Sequence, residues 1–303
     1  IQGGIGVAVS GWRLARAVAQ AGQLGVVSGT ALASVFARQL QLGDPGGHLA
    51  RAAARFPLPA VVERIWKQYY LAGGKAADAP FKLTPMPALS PGAAFTELTV
   101  LANFAEVSLA KEGHDGRIGI NFLEKIQLPT LPSIYGAMLA GVDYILMGAG
   151  IPRSIPGVLD RFARGETAEL KVDVTGATSA DNCLSTFDPG TLFAGPAPML
   201  PRPLFLAIIS SATLDAGSFS DFFTINGVPA PVIEAPGRMF PVAEFFLPPF
   251  EDEDLPQHVA RAVDYLGEVE PNGDVLIFLP GEREIRECAD VLDGRQYRGT
   301  EVL

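Results

Sequence analysis

Short apolar runs bounded by glycine recur along the first two-thirds of this chain, and stretches with helical spacing lie between them. That alternation constrains the fold more than any other feature. A strand buried on both faces reads as an unbroken apolar run, and such strands belong to parallel sheets whose crossovers are helices. Leu24 to Val27, Ile118 to Leu123, Val142 to Met147 and Leu204 to Ile209 all have this character. Ile1 to Val9 and Leu98 to Val107 read as further strands. Helices are predicted over Trp12 to Gln20, through much of Ala31 to Tyr70, and over Ser133 to Ala140 and Ile155 to Ala163. In the first of these, Leu14, Ala17, Val18 and Ala21 share one face and Gly22 is a natural stop. Leu71 to Ala94 and Glu166 to Pro203 read as irregular surface excursions. The expected class is α/β, with repeated βα units in a barrel or a doubly wound sheet.

The character changes after Leu214. Pro231 to Glu234, Glu244 to Leu247 and Asp274 to Leu279 read as strands, with helices over His258 to Leu266 and Glu282 to Leu292. Charge changes with it. Of 33 acidic residues 18 lie from Ser210 onward, but only 6 of the 23 basic ones do, leaving 15 acids and 17 bases before it. No lysine follows Lys171. A shift this sharp points to two segments of separate origin. A net charge of −10 argues against a general nucleic-acid surface. Apolar residues make up 48% of the 303, enough for a sizeable core. The two cysteines, Cys183 and Cys288, lie far apart without metal-ligand spacing, as in a reducing compartment. No signal peptide and no apolar run of ~20 residues is visible, so a soluble, cytoplasmic chain without membrane association is expected. The first residue is not Met, and Glu301-Val302-Leu303 reads as a strand just opening, so a piece of a longer protein is expected.

Few motifs carry chemistry by themselves. Gly3-Gly4-Ile5-Gly6 resembles a dinucleotide fingerprint only superficially. A third glycine would have to stand at Val9, and the acid expected after the second strand is missing from Ser28-Gly29-Thr30. Glycines at a strand end still let a flat cofactor or a phosphate approach the backbone. His114, between acids in a glycine-bounded turn, has the chemistry of a general acid or base, but turn histidines are more often solvated. His48 and His258 read as surface residues. No Ser/His/Asp set, metal spacing or P-loop is present.

Several longer runs carry a resemblance. Ile1 to Val7, Gly25 to Gly29, Leu101-Ala102-Asn103-Phe104-Ala105-Glu106-Val107, Gly119 to Lys125 and Met147 to Pro152 occur in the order found in flavin-dependent nitronate monooxygenases (2-nitropropane dioxygenase-like proteins). Residues 1–214 resemble that family. The resemblance implies the first part of an FMN-dependent TIM-type (β/α) barrel acting on a small-molecule substrate. It places Gly3, Gly4, Gly6 and Asn121 near the flavin, because such barrels work at the C-terminal ends of their strands. The family's Gly-Gly-His segment and its FMN phosphate loops do not occur here. Weak or absent FMN binding and no catalytic residue are therefore expected.

The last stretch resembles a different family. Ser211-Ala212-Thr213-Leu214-Asp215, Asp221-Phe222-Phe223, Pro236-Gly237-Arg238 and Asp274 to Gly281 follow the order seen in DEAH-box ATP-dependent RNA helicases. The resemblance covers about residues 210–303 and implies part of a RecA-like α/β domain, with RNA and ATP as its family's partners. The P-loop lysine, the magnesium-holding acid and the late arginine are missing, so ATPase activity is not expected. Both families carry a Ser-Ala-Thr-Leu-like stretch, which places the expected join at Ser211 to Leu214. The expectation is a domain over 1–214 and another over 215–303. Three outcomes stay open: an impaired flavin oxidoreductase, a helicase fragment, or a chimera with no activity.

Overall fold

A computed structural model describes residues 1–303 except 5, 149–151, 175, 177–182, 194, 209–219, 222–223, 225–227, 233–245, 270–274, 276, 278, 280–281 and 296–303. The chain forms two compact units, Ile1–Val232 and Ile233–Leu303.

The first unit is built on a parallel sheet of four strands, β1 (Gly25–Ser28), β2 (Ile118–Leu123), β3 (Tyr144–Gly148) and β6 (Leu204–Ala207), in that spatial order. Each strand pairs with the next in register, with Val27 opposite Ile120, Ile120 opposite Ile145, and Ile145 opposite Phe205. The strands are short apolar runs, as the sequence predicts. α1 (Trp12–Gln20) precedes β1, and between the strands stand α2 (Leu32–Gln41), α3 (His48–Ala53), α4 (Pro59–Tyr69), α5 (Ala93–Ala110), α6 (Thr130–Leu139) and α7 (Ile155–Ala163). Val27, Ile118, Ile120, Phe122, Ile145 and Met147 point to one face of the sheet and join the helices in a single core.

α5 is the centre of that core. It meets α1, α2, α3 and α6 as well as β1 and β2. Leu98, Val100, Leu101, Val107 and Leu109 are all essentially inaccessible to solvent. Its 18 residues are apolar enough to cross a membrane, but 72% of them are buried within the protein, as befits a core helix. Close backbone approach makes this packing possible. A Cβ on Gly136 would lie 2.2 Å from the Val100 carbonyl oxygen, and one on Gly25 would lie 1.9 Å from that of Ala15. Glycine is required at both places because α6 touches α5, and β1 touches α1, backbone to backbone.

Three expectations are corrected here. Leu98 to Val107 lies inside α5 and is helical throughout. Ile1 to Val9 forms no strand among its described residues. Gln2 donates one backbone hydrogen bond to Leu24 O (3.1 Å), and the chain then turns at Gly6 (φ +106°). The excursion after Glu166 contains an antiparallel pair, β4 (Ala168–Lys171) with β5 (Leu184–Phe187). It delivers Phe187 to Tyr135 and Phe162, and the three rings meet edge to face at 5.3 to 5.7 Å between centroids.

The second unit contains two amphipathic helices, α8 (Leu255–Val269) and α9 (Glu282–Asp293), where the sequence places them. They share a small core of Val259, Ala260, Cys288 and Leu292. The expected strand Asp274 to Leu279 is described only at Val275, Ile277 and Leu279, none of which is in a strand. The expected join at Ser211 to Leu214 and the segment Pro236-Gly237-Arg238 lie outside the described residues.

The close approach of α6 to α5 predicts opposite effects for two glycines. Gly136→Ala should lower unfolding stability by at least about 2 kcal/mol, because backbone must move apart. Gly157→Ala, in α7 with open space around the added methyl, should raise it by about 0.5–1 kcal/mol. Urea unfolding midpoints of the two variants check both signs.

Candidate functional site

The C-terminal ends of the parallel strands gather the candidate residues. Asn121, buried near the end of β2, donates from Nδ2 to the Gly4 carbonyl (3.3 Å). Its Oδ1 is buried without a hydrogen-bond partner. Gly4 lies against Val26, and a Cβ there would meet Val26 Cγ1 at 2.4 Å and Asn121 Cβ at 3.2 Å. The missing side chain at Gly4 thus lets the N-terminal segment close on the sheet. Gly3 has open space where a Cβ would be, and its carbonyl accepts from Ser10 Oγ (3.3 Å). Gly6 stands apart from this group, in the turn whose carbonyl accepts from Val9 N and Ser10 N. Gly3, Gly4 and Asn121 therefore come together, and Gly6 leads the chain away towards α1.

That turn ends at a second feature. Gly11 is the N-cap of α1 and offers no side-chain cap, so the first amide of the helix needs an acceptor from elsewhere. Glu106 of α5 supplies it, accepting from Trp12 N at 2.5 Å through Oε1. The residue as a whole is part-buried, yet its carboxyl end is deeply enclosed. Burial pushes the carboxyl up to about 7, against the opposing pull of the Trp12 amide and the Arg13 guanidinium. A cavity of about 150 Å³ opens beside it, bounded by Trp12, Leu32, Phe36, Asp44, His48 and Glu106. Sequence reasoning passed over Glu106. The available signal was a lone charge in the run Leu98 to Leu109, which holds no other acid or base.

The other carboxylates are structural. Asp44 caps α3, accepting from Leu49 N and Ala50 N at 2.9 Å each. Glu112, past the end of α5, gathers Arg51 (2.8 Å), Arg55 (3.2 Å) and Arg16 (3.7 Å), tying α1 and α3 together. These part-exposed pairs are worth little individually. Asp143 precedes β3 and accepts from Lys111 Nζ (2.7 Å), Ile118 N (2.9 Å) and Arg117 Nη1 (3.0 Å). Burial alone would raise its carboxyl, but these donors outweigh burial and hold it below the usual range.

The histidines have local roles. His114 closes the end of α5, with Nε2 2.7 Å from Ala110 O and Nδ1 accepting from Gly116 N. That arrangement leaves neither nitrogen for catalysis. His48 Nδ1 lies 3.1 Å from Arg51, and His258, in the second unit, pairs with Glu253. Among the described residues no group of three His, Cys, Asp or Glu could hold a metal.

Two substitutions separate the two kinds of acid. Glu106 has a raised folded value, so its stabilising contribution is complete below its unfolded value of 4.5. It is lost as pH rises through 7. Glu106→Gln keeps the acceptor for Trp12 N and should remove that loss, stabilising the protein above pH 7 by up to about 3 kcal/mol. Asp143 has the opposite sign. Its contribution is present above the unfolded value of 3.8 and is lost as pH falls through the lower folded value. Asp143→Asn should be destabilising at pH 7 and indistinguishable from the parent in strong acid. Denaturant unfolding across pH reads both.

Comparisons with known proteins bear on one part of the chain. No family model matches, and no solved structure does. Three curated relatives are ATP-dependent RNA helicases. The chain is 44% identical over 98 residues to the HrpA homolog of Haemophilus influenzae, covering 32% of this chain and 7% of that protein. It is 43% identical over 111 residues to HrpA of Escherichia coli, covering 35% and 8%. It is 37% identical over 93 residues to the probable helicase DHR2 of Saccharomyces cerevisiae, covering 31% and 12%. The chain thus spans about a tenth of the length of these relatives.

Proposed function

We propose that the chain carries a segment of a DEAH-box ATP-dependent RNA helicase behind a first part of unrelated origin. The observation that supports this most is identity of 37% to 44% to three such helicases over about a third of the chain. Their matched lengths, 93 to 111 residues, suit the stretch 210–303 that carries the helicase-like motifs. RNA and ATP are the partners of that parent function. The phosphate-gripping lysine, the magnesium acid and the late arginine do not occur in this sequence, so the segment performs no phosphoryl transfer by itself.

The first part favours a second reading, a flavin-dependent oxidoreductase of nitronate monooxygenase type. Its sheet adds strands in one direction only, with no reversal of order, and its helices share one face. A barrel grows in that way, whereas a doubly wound sheet reverses. The orphaned Asn121 Oδ1 at the strand ends is a suitable acceptor for a flavin ring N–H, and open Gly3 leaves room beside it. Gly4 is too closely packed to form part of a cradle. Bound FMN would supply electron transfer to and from the substrate. This chain's residues would supply its orientation at most, because no phosphate-binding loop is recognisable.

The deciding measurement is a long DNA read spanning the codons for Phe205 to Phe223, with several kilobases on each side. Reads that continue into further barrel units on one molecule and a whole helicase on another are expected. A single frame running through the join on every molecule would overturn the chimera. The absorbance of the purified chain in the flavin band would then decide the second reading.

A further inference from the structure

We infer that the cavity between α1, α2, α3 and α5 is a binding site for a small organic ammonium ion, with the Glu106 carboxyl as its anchor. Three observations carry this. The first is the arrangement of the charged groups around the cavity. Both oxygens of Asp44 are spent on the amides of α3. The Arg13 guanidinium lies over the Trp12 ring, 4.4 Å from its centroid. His48 Nδ1 lies 3.1 Å from the Arg51 guanidinium. Glu106 uses Oε1 on Trp12 N, and no described residue hydrogen-bonds Oε2.

The second observation is the remaining wall. Leu32, Phe36 and the flank of Trp12 give it an apolar side. About 150 Å³ is the size of cavity known to admit one benzene ring. The third is the mouth. It is framed by exposed Ala8 and Arg13, and Ala8 is held at φ +59°, a strained conformation for alanine.

The charges decide the class of ligand. An anion would meet two carboxylates, Asp44 and Glu106, and one guanidinium already resting on Trp12. A protonated amine on a short apolar body instead places its N–H groups on Oε2 and its carbons against Leu32 and Phe36. A charge-assisted hydrogen bond of this kind is about twice as strong as a neutral one. The ammonium also favours the ionised form of Glu106, so the site releases a proton as it fills in mildly acidic solution.

The test is calorimetric titration of the whole chain with benzylammonium, benzyl alcohol and benzoate. Benzylammonium should bind at least tenfold more tightly than benzyl alcohol, and benzoate should not bind. Near pH 6 the heat should vary with the ionisation enthalpy of the buffer, which reads proton release. Glu106→Gln, which keeps the bond to Trp12 N, should lose tenfold or more for benzylammonium and leave benzyl alcohol unchanged. Val35→Phe fills the cavity from α2 and should abolish binding of both. It decides the matter if the first variant does not fold. Equal binding of benzoate, no loss in either variant, or no binding by any of the three compounds would overturn the inference.

Discussion

The burial of α5 is the constraint on which the first unit depends. A helix enclosed on nearly every side must find its neighbours at the closest distance that backbone allows. Gly136 permits this for α6, and Gly25 permits the matching approach of β1 to α1. Each contact excludes even a methyl group. The apolar area so removed from water is the main favourable term, at about 25 cal/mol per Å². Helix propensity adds little by comparison. Thr99 and Asn103, placed within α5, turn their side chains back to the carbonyls of Phe95 and Thr99 (2.8 and 2.9 Å). These internal bonds lower the cost of enclosing the helix, although Asn103 Oδ1 is buried without a hydrogen-bond partner.

That enclosure explains why two carboxylates behave so differently. Asp143 lies at the rim, where Lys111 and Arg117 reach it and the Ile118 amide is aimed at it. Its charge is compensated, and it fixes the start of β3 against β2. Glu106 faces inward, with a single backbone donor and only one cation near enough to matter. A charge there is poorly repaid. The protein tolerates this because the same carboxyl caps α1, whose glycine N-cap supplies nothing. Replacing Gly11 would not remove the need, since a Cβ would lie 3.3 Å from Glu106 Oε1. Cap and acid are matched across two helices far apart in sequence.

The same packing set what was legible in the sequence. Strands β2 and β3 announce themselves because both faces are buried, and α7 because one face is not; α1 was placed correctly, but Ala15 and Ala19 are its buried residues, whereas Leu14, Ala17 and Ala21 of the expected face are exposed. α5 was misread as a strand over Leu98 to Val107 for a physical reason. A helix apolar all round shows no 3.6-residue period, so length alone distinguishes it from a buried strand. β4 and β5 escaped notice because Glu169, Lys171, Ser185 and Thr186 give them little apolar pattern. Their pairing rests on the ring cluster of Tyr135, Phe162 and Phe187, which no local window contains. Asn121 was singled out only through the flavoprotein resemblance, and nothing in its local pattern marks it. Glu106 was not legible, because its role depends on an amide 94 residues away.

The second unit shows the converse. α8 and α9 were read correctly from their strong amphipathic pattern, yet that pattern buries only four residues fully among those described. Phe246 is 90% exposed and Phe250 67% exposed, the latter covered on one face by Arg261 at 4.2 Å. Glu253, which binds Arg261 at 2.6 and 2.7 Å and the Phe250 amide at 3.0 Å, is pulled down to about 2. Local polar ties of this sort fix the entry to α8 without adding a core. Among the described residues, then, helical pattern alone places α8 and α9, because amphipathic spacing is a local property of the sequence whereas burial depends on what lies opposite.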